Sequence, residues 1–212
     1  MTPQTFVPEP AICRLPWYLA CVTRMRARGV EYISSTAISK EVNLDASQIA
    51  KDLSYLNIKG KTRIGYEASQ LEEGLTDFLG FRYTHNAVMM GVGSLGAALM
   101  SDSGLERYGL NIVAGFDINP ALTGTVIEGR PVYHLDSLKE KMKSLNAEIA
   151  IIAVPVEAAA SVAALCAEAG AKALWNFTPF HITAIPGVTI QNTSIYAHLA
   201  VMYNRMNCQE KP

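Results

Sequence analysis

Hydrophobic positions change period once along this chain, near residue 80. Before that point apolar residues recur at helical spacing; beyond it, short continuous apolar runs alternate with helical segments. Leu15, Leu19, Val22 and Met25 predict a first helix, with Pro16 in its first turn and Gly29 at its end. Ser34-Ser35 caps a short second helix holding Ile38 and Val42. Asp45, with Gln48 three residues on, is a capping-box variant opening a third helix. That helix carries Ile49, Leu53 and Leu56 on one face and Ser47, Gln48, Lys51, Ser54 and Tyr55 on the other. The basic segment Lys59 to Tyr66, with β-branched residues and two glycines, predicts a small two-stranded ribbon, and roughly Ala68 to Leu79 a fourth helix. Helix, short helix, tight turn, polar-faced helix and basic ribbon is the order of a winged helix-turn-helix.

From Asn86 the pattern alternates. Strands are expected at 87–91, 111–116, 149–154, 173–177 and 188–190, with helices at 94–105, 137–145 and 156–169. Continuous apolar strands separated by helices imply a parallel sheet covered on both faces. A last helix, Thr193 to Met206, shows a stripe of Tyr196, Leu199, Ala200 and Tyr203 that finds no place within so small a sheet unit. The expected organisation is therefore α/β: residues 1–80 a winged-helix DNA-binding domain, 81–191 a Rossmann-like domain, and 192–212 a terminal helix and tail.

The chemistry concentrates in Gly91-Val92-Gly93-Ser94-Leu95-Gly96. An apolar strand precedes it, a helix follows, and Asp117 ends a second apolar strand twenty-one positions past the third glycine. This is the dinucleotide fingerprint in its required setting. Gly91 permits the turn, Gly93 lets backbone approach a pyrophosphate, and Gly96 lets the helix pack on the strand. The helix amino end supplies N–H groups for phosphates.

With half of the 212 residues hydrophobic and 17% charged, a sizeable core is available. Neither a membrane-length apolar run nor a signal peptide is evident, and Cys13, Cys21, Cys166 and Cys208 lack metal or disulfide spacing, so a cytoplasmic protein with reduced thiols and no metal is expected. The net charge of −1 hides an asymmetry: residues 1–66 hold nine Lys/Arg against five Asp/Glu, the remainder nine against fourteen. A basic front unit suits a nucleic-acid partner. Ser47, Gln48 and Lys51 are placed for bases or phosphates, and Ser54, Tyr55, Lys59, Lys61 and Arg63 for backbone or minor groove. Of four histidines only His181 lies where an acid/base could serve a nicotinamide. A nucleotide site without catalytic groups, fused to a DNA-binding fold, suggests a sensor rather than an enzyme.

From about Ala11 to Met206 the chain resembles the Rex family of redox-sensing transcriptional repressors. The resemblance is carried by Arg14-Leu15-Pro16, by Gln48-Ile49-Ala50-Lys51-Asp52-Leu53-Ser54-Tyr55, by Gly65-Tyr66, and by the glycine turn with Phe116-Asp117. Pro131-Val132-Tyr133-His134-Leu135, Ala153-Val154-Pro155 and Asn176-Phe177-Thr178-Pro179 extend it. It implies a homodimer with a domain-swapped terminal helix, which binds palindromic double-stranded operator DNA and is released by NADH, with NAD⁺ competing. By position it implies that Gly91, Val92, Gly93, Ser94, Leu95 and Gly96 hold the pyrophosphate and Asp117 the adenine ribose. Val154, Pro155 and Asn176 would lie towards the nicotinamide, and Arg14 and Asp52 would join the DNA contacts. An NAD-dependent oxidoreductase and a CoA-binding Rossmann protein remain the alternatives.

There are departures. Ala50 stands where the family usually has Arg, and Thr62-Arg63 where its wing has Arg-Gly. The residues aligned with the family's domain-coupling Arg, Tyr and Asp are Ala20, Asp102 and Thr193. Asp102 is thus expected to carry a substitute polar link, and Thr193 to cap the last helix.

Overall fold

The structure, a computed structural model, describes residues 7–56 and 58–209. The chain divides into two compact units, up to Tyr83 and from Thr84 onward.

In the first unit α1 (Glu9–Ala27), β1 (Tyr32–Ile33), α2 (Ser35–Val42), α3 (Ala46–Leu53), β2 (Tyr66–Glu67) and α4 (Ala68–Phe78) follow one another. The core is the apolar spacing read above: Leu15, Leu19 and Val22 of α1 meet Ile38, Ile49, Leu53, Leu56, Leu71 and Leu75, all buried. Both early caps form, since Ser34 Oγ accepts from Ala37 N and Asp45 Oδ1 from Ser47 N and Gln48 N. Two expectations need correction. The first helix begins a turn and a half earlier, with Pro10 in its opening turn, so Pro16 is an interior residue. The basic ribbon is smaller than expected: Lys61 and Gly65 exchange backbone hydrogen bonds of 2.7 and 2.9 Å around a tip of Thr62, Arg63 and Ile64. The strand after it, β2, pairs antiparallel with β1.

The second unit runs β3 (His85–Met90), α5 (Ser94–Ser101), β4 (Leu110–Asp117), β5 (Val126–Ile127), β6 (Arg130–His134), α6 (Leu138–Ser144), β7 (Ile149–Ile152), α7 (Ala159–Glu168), β8 (Ala173–Asn176), β9 (Thr189–Asn192) and α8 (Ile195–Gln209). The sheet order is β5-β6-β4-β3-β7-β8-β9, parallel except for the β5–β6 hairpin. Leaving β5 aside, this is the doubly wound Rossmann order 3-2-1-4-5-6, with β3 first. Period-two alternation splits the core between the sheet's faces. Val88, Met90, Ala150 and Ile152 pack with Leu138, Met142, Val162 and Cys166 on one face; Ala87, Met89 and Ile151 pack with Val92 and Met100 on the other.

The hairpin β5–β6 adds to the strands expected, β3 begins at His85, two residues earlier than expected, and α5 ends four residues earlier than expected. The last helix starts at Ile195, not Thr193. Its cap is Ser194, whose Oγ accepts from Ala197 N at 3.1 Å, while Thr193 Oγ1 accepts from the Trp175 indole at 2.9 Å.

Candidate nucleotide crevice and nucleic-acid interface

In an open α/β sheet ligands bind at the carboxyl ends of strands where the winding reverses. Here that point lies between β3 and β7, and the glycine turn leaves β3 directly into it. Each glycine does a different steric job. Gly91 has φ +86°, and a Cβ there would sit 2.8 Å from the Ala153 carbonyl oxygen. A Cβ on Gly96 would sit 2.0 Å from the Gly91 carbonyl oxygen, so only glycine lets α5 approach β3 this closely. Gly93 has φ −71° and ψ −165°, a backbone open to any residue, and a Cβ there would meet nothing within 4 Å. The fold requires the outer two glycines; the middle one leaves open space at the amino end of α5. Ser94 and Leu95 beside it are exposed, and the first N–H groups of α5 have no intrahelical partner.

A cavity of about 260 Å³ adjoins the turn. Phe116, Leu135, Val154, Pro155, Val162 and Leu165 give it apolar walls, and Asp117 stands at its edge. Asp117 is held by two backbone donors, Val92 N to Oδ2 and Asn119 N to Oδ1, both at 2.8 Å. These bonds fix the carboxylate beside the turn, and each oxygen keeps acceptor capacity for a ribose hydroxyl. An apolar cavity, a fixed acid and an open glycine at a helix amino end fit an adenine, its ribose and a pyrophosphate respectively.

Asn176 does not line this site. It is fully buried and its amide is saturated: Nδ2 donates to Phe180 O (2.6 Å) and Asn192 Oδ1 (2.8 Å), and Oδ1 accepts from Thr178 N and Thr178 Oγ1. Asn192 in turn grips both backbone groups of Ile182. Asn176 thus anchors the loop that follows β8, and a cofactor contacting its amide would have to displace one of these internal bonds. Asp102, at the end of α5, is exposed and accepts from Gly104 N at 2.8 Å in a local turn, with no hydrogen bond to another element among the described residues. His181 is exposed.

In the first unit α3 presents Ser47 and Lys51 to solvent, followed by exposed Ser54, whose hydroxyl donates to the Lys51 carbonyl, and half-buried Tyr55. Lys59, Lys61 and Arg63 are exposed along the ribbon. Lys61 Nζ donates to Tyr32 OH at 2.6 Å and lies 4.6 Å from the Tyr32 ring centroid. Arg63 has φ +65°, the left-handed region a glycine would enter without cost.

Asp52 is not an outer contact. It is 1% exposed and accepts from Arg14 Nε (2.7 Å), Arg14 Nη2 (2.9 Å), Tyr18 OH (2.8 Å) and Gln48 Nε2 (2.8 Å). Burial alone would raise its pKa; the Arg14, Tyr18 and Gln48 hydrogen bonds outweigh that and hold it below the usual carboxylate range. Burial and the same carboxylate push the Tyr18 phenol up to about 12. Arg14 thus directs its fork to Asp52 inside the unit, and Asp52 is a buttress joining α1 to α3 whose four bonds leave it no lone pair free for DNA. A sequence signal existed: Asp52 shares the buried spacing of Ile49, Leu53 and Leu56, where an acid needs a cationic partner.

The two units define a class: a winged-helix DNA-binding fold joined to a dinucleotide-type Rossmann fold. Residues 6–54 match a family model described as putative DNA-binding protein N-terminus, and residues 82–180 one described as CoA binding domain. The redox-sensing transcriptional repressor Rex of Bacteroides thetaiotaomicron is 53% identical over 206 residues, covering 97% of this chain and 94% of that protein. The Rex of Treponema denticola is 39% identical over 207 residues, covering 96% and 99%. Among solved structures, RSP in complex with β-NAD⁺ and operator DNA superimposes with a TM-score of 0.91 at 31% identity, covering 97% of this chain and 95% of that one. RSP with β-NADH gives 0.85 at 32%, covering 97% of each. The chain belongs to the Rex family of redox-sensing transcriptional repressors.

Proposed function

We propose that this protein is a redox-sensing repressor that binds palindromic operator DNA as a homodimer and is released by NADH. The observation that carries the reading is the glycine turn: Gly93 is sterically free for the fold, while Gly91 and Gly96 are not. A glycine that folding does not need, beside a fixed acid and an apolar slot, is accounted for by a ligand's approach. The structures of a relative with β-NAD⁺ and operator DNA and with β-NADH name the ligands this crevice and α3 would take.

The geometry supplies the parts of a switch. The amino end of α5 and the N–H groups of Ser94 and Leu95 would hold the pyrophosphate, and Asp117 the adenine ribose, where a 2′-phosphate would meet like charge. Val154 and Pro155 wall the path onward. Ser47, Gln48 and Lys51 on α3 would enter a major groove, with Lys59, Lys61 and Arg63 following the adjacent backbone. A second copy suits α8, whose Ile195, Tyr196, Val201, Met202, Tyr203 and Met206 are all more than half exposed or nearly so, between 49 and 63%. Swapping this helix onto a partner subunit would bury much of that apolar surface. The nicotinamide is sensed, not turned over, and the protein works in the cytoplasm.

Calorimetry of the pure protein with NADH, NADPH and coenzyme A, paired with its sedimentation mass, tests this reading. Expected are a dimer and tight NADH binding. A preference for coenzyme A would favour the reading the family model on 82–180 suggests, and NADH oxidation with a small substrate would make the protein an oxidoreductase.

A further inference from the structure

We propose that Gln48 reads an adenine in each half of the operator, and that buried Asp52 is the positioning residue that orients its amide. The inference rests on the DNA-binding reading of α3 and goes beyond it to one base and one mechanism of selection.

A carboxylate has about four lone-pair sites, and all four on Asp52 are taken: two by Arg14, one by Tyr18 and one by Gln48. Three of these donors, two from Arg14 and one from Tyr18, come from α1, so the carboxylate cannot swing outward. It accepts only. The Gln48 side chain must therefore turn its NH₂ group towards Asp52, because the flipped amide would set Oε1 against Oδ1 at 2.8 Å. Solvated glutamines have no such constraint. This one has its amide set before any DNA arrives, so less side-chain entropy is lost on binding.

The fixed amide leaves a specific pair of groups free. One Nε2–H is used by Asp52; the second and Oε1 have no partner among the described residues. An adjacent donor and acceptor complement the major-groove edge of adenine, which offers N7 as acceptor and N6–H₂ as donor. Guanine offers two acceptors, N7 and O6, and would leave Oε1 facing an oxygen. Gln48 is the third residue of α3, near the amino end that enters the groove in helix-turn-helix proteins, and is partly exposed beside Ser47 and Lys51.

The test selects operators for the full-length protein from a random duplex pool, then measures affinity with each base pair of a half-site replaced in turn. The wild type should prefer A·T over G·C at one position near the Gln48 side chain by about tenfold to a hundredfold. Gln48→Ala should erase the preference at that pair alone. In Asp52→Asn the new Nδ2 would draw Oε1 inward and turn the NH₂ outward, so preference at the same pair should move towards G·C. A merely structural Asp52 would instead weaken all duplexes by one factor and leave the A·T preference standing, which would overturn the proposal. So would an unchanged profile for Gln48→Ala. Should Asp52→Asn fail to fold, ¹⁵N relaxation of the wild type decides: a Gln48 side-chain amide as rigid as the α3 backbone supports the positioning, and a freely mobile one overturns it. If the wild type selects no sequence at all, the DNA-binding reading itself fails, a result separate from these.

Discussion

Replacing Gly93 with valine separates folding from ligand binding. On the folding side the cost is small. The backbone at φ −71° and ψ −165° accepts an L-residue, and a Cβ meets nothing within 4 Å. Removing a glycine's freedom from the unfolded chain stabilises by about 0.4–1 kcal/mol. Losing glycine at the cap of α5 costs a similar amount, since valine is a poor cap. The net effect should lie within about 1 kcal/mol, or roughly 2–4 °C in the melting of a unit this size. On the binding side the branched side chain fills the space a pyrophosphate needs and pushes it from the N–H groups of Ser94 and Leu95. Two charge-assisted hydrogen bonds at about 1.5–3 kcal/mol each amount to more than a hundredfold in Kd. A thermal melt with NADH at about a hundred times the wild-type Kd reads both at once. The wild type should gain about 2.7 kcal/mol, and Gly93→Val nothing. As a contrast, Gly96→Ala drives a methyl to 2.0 Å from a carbonyl oxygen and should destabilise by at least the usual 1–3 kcal/mol of overpacking, without ligand. A Gly93→Val protein that NADH stabilises as it does the wild type, or one that does not fold, would refute the division of labour among the three glycines.

Further outcomes follow from the same geometry. NADPH should bind at least a hundredfold more weakly than NADH, because its 2′-phosphate would face the Asp117 carboxylate; equal dissociation constants by calorimetry would remove Asp117 from the ribose site. Lys51→Ala should cost about 1–3 kcal/mol on the operator and relax preference at one pair, whereas Lys59→Ala should weaken all DNA alike and reduce the salt slope by about one unit; identical behaviour of the two would refute the placing of α3 in the groove. Asp52 has a folded pKa below its unfolded value of about 3.9, so its stabilisation is present above that value and is lost as pH falls through the folded one. The acid arm of denaturant-measured stability should therefore be shallower in Asp52→Asn, and superimposable arms would show that the Arg14–Asp52 pair carries no such linkage. Burial pushes the Cys166 thiol up to about 12, and Cys21 is also buried, so alkylation of the native protein should stop at the exposed Cys13 and Cys208; native-state labelling of Cys166 would contradict its place in the core.

What the sequence disclosed and what it hid divide along a physical line. The glycine turn was legible because most of its constraint is local: strand, turn and helix are contiguous, Gly91 needs the positive φ of the turn itself, and the approach of Gly96 to the Gly91 carbonyl acts across five residues, although Gly91 is also pressed by the remote Ala153. The caps at Ser34 and Asp45 were legible for the same reason, although Gln48 turns to Asp52 rather than closing the capping box. The two-residue strand β1 left no periodic trace, and the hairpin β5–β6 is interrupted by glycine and proline and gains its place only from β4. The partners of Asp52 and Asn176 were hidden because they are remote in sequence, even where spacing marks Asp52 as buried: Arg14 lies 38 residues from Asp52, and Asn192 sixteen from Asn176. A polar residue read alone looks like surface, and its burial depends on donors that only the folded chain brings together. Thr193 shows the same limit, since its hydroxyl serves Trp175, eighteen residues away, and not the helix beside it.

In this protein one ligand in the Rossmann crevice is proposed to control the affinity of α3 for DNA. Fluorescence anisotropy of a labelled palindromic operator bound to the full-length protein, titrated with NADH and separately with NAD⁺ at fixed salt, tests it most directly. NADH should release the DNA with a coupling of about 1–3 kcal/mol, NAD⁺ alone should leave the complex standing and shift the NADH titration to higher concentration, and Gly93→Val should bind the operator but ignore NADH. Operator affinity that is unmoved by saturating NADH would contradict it.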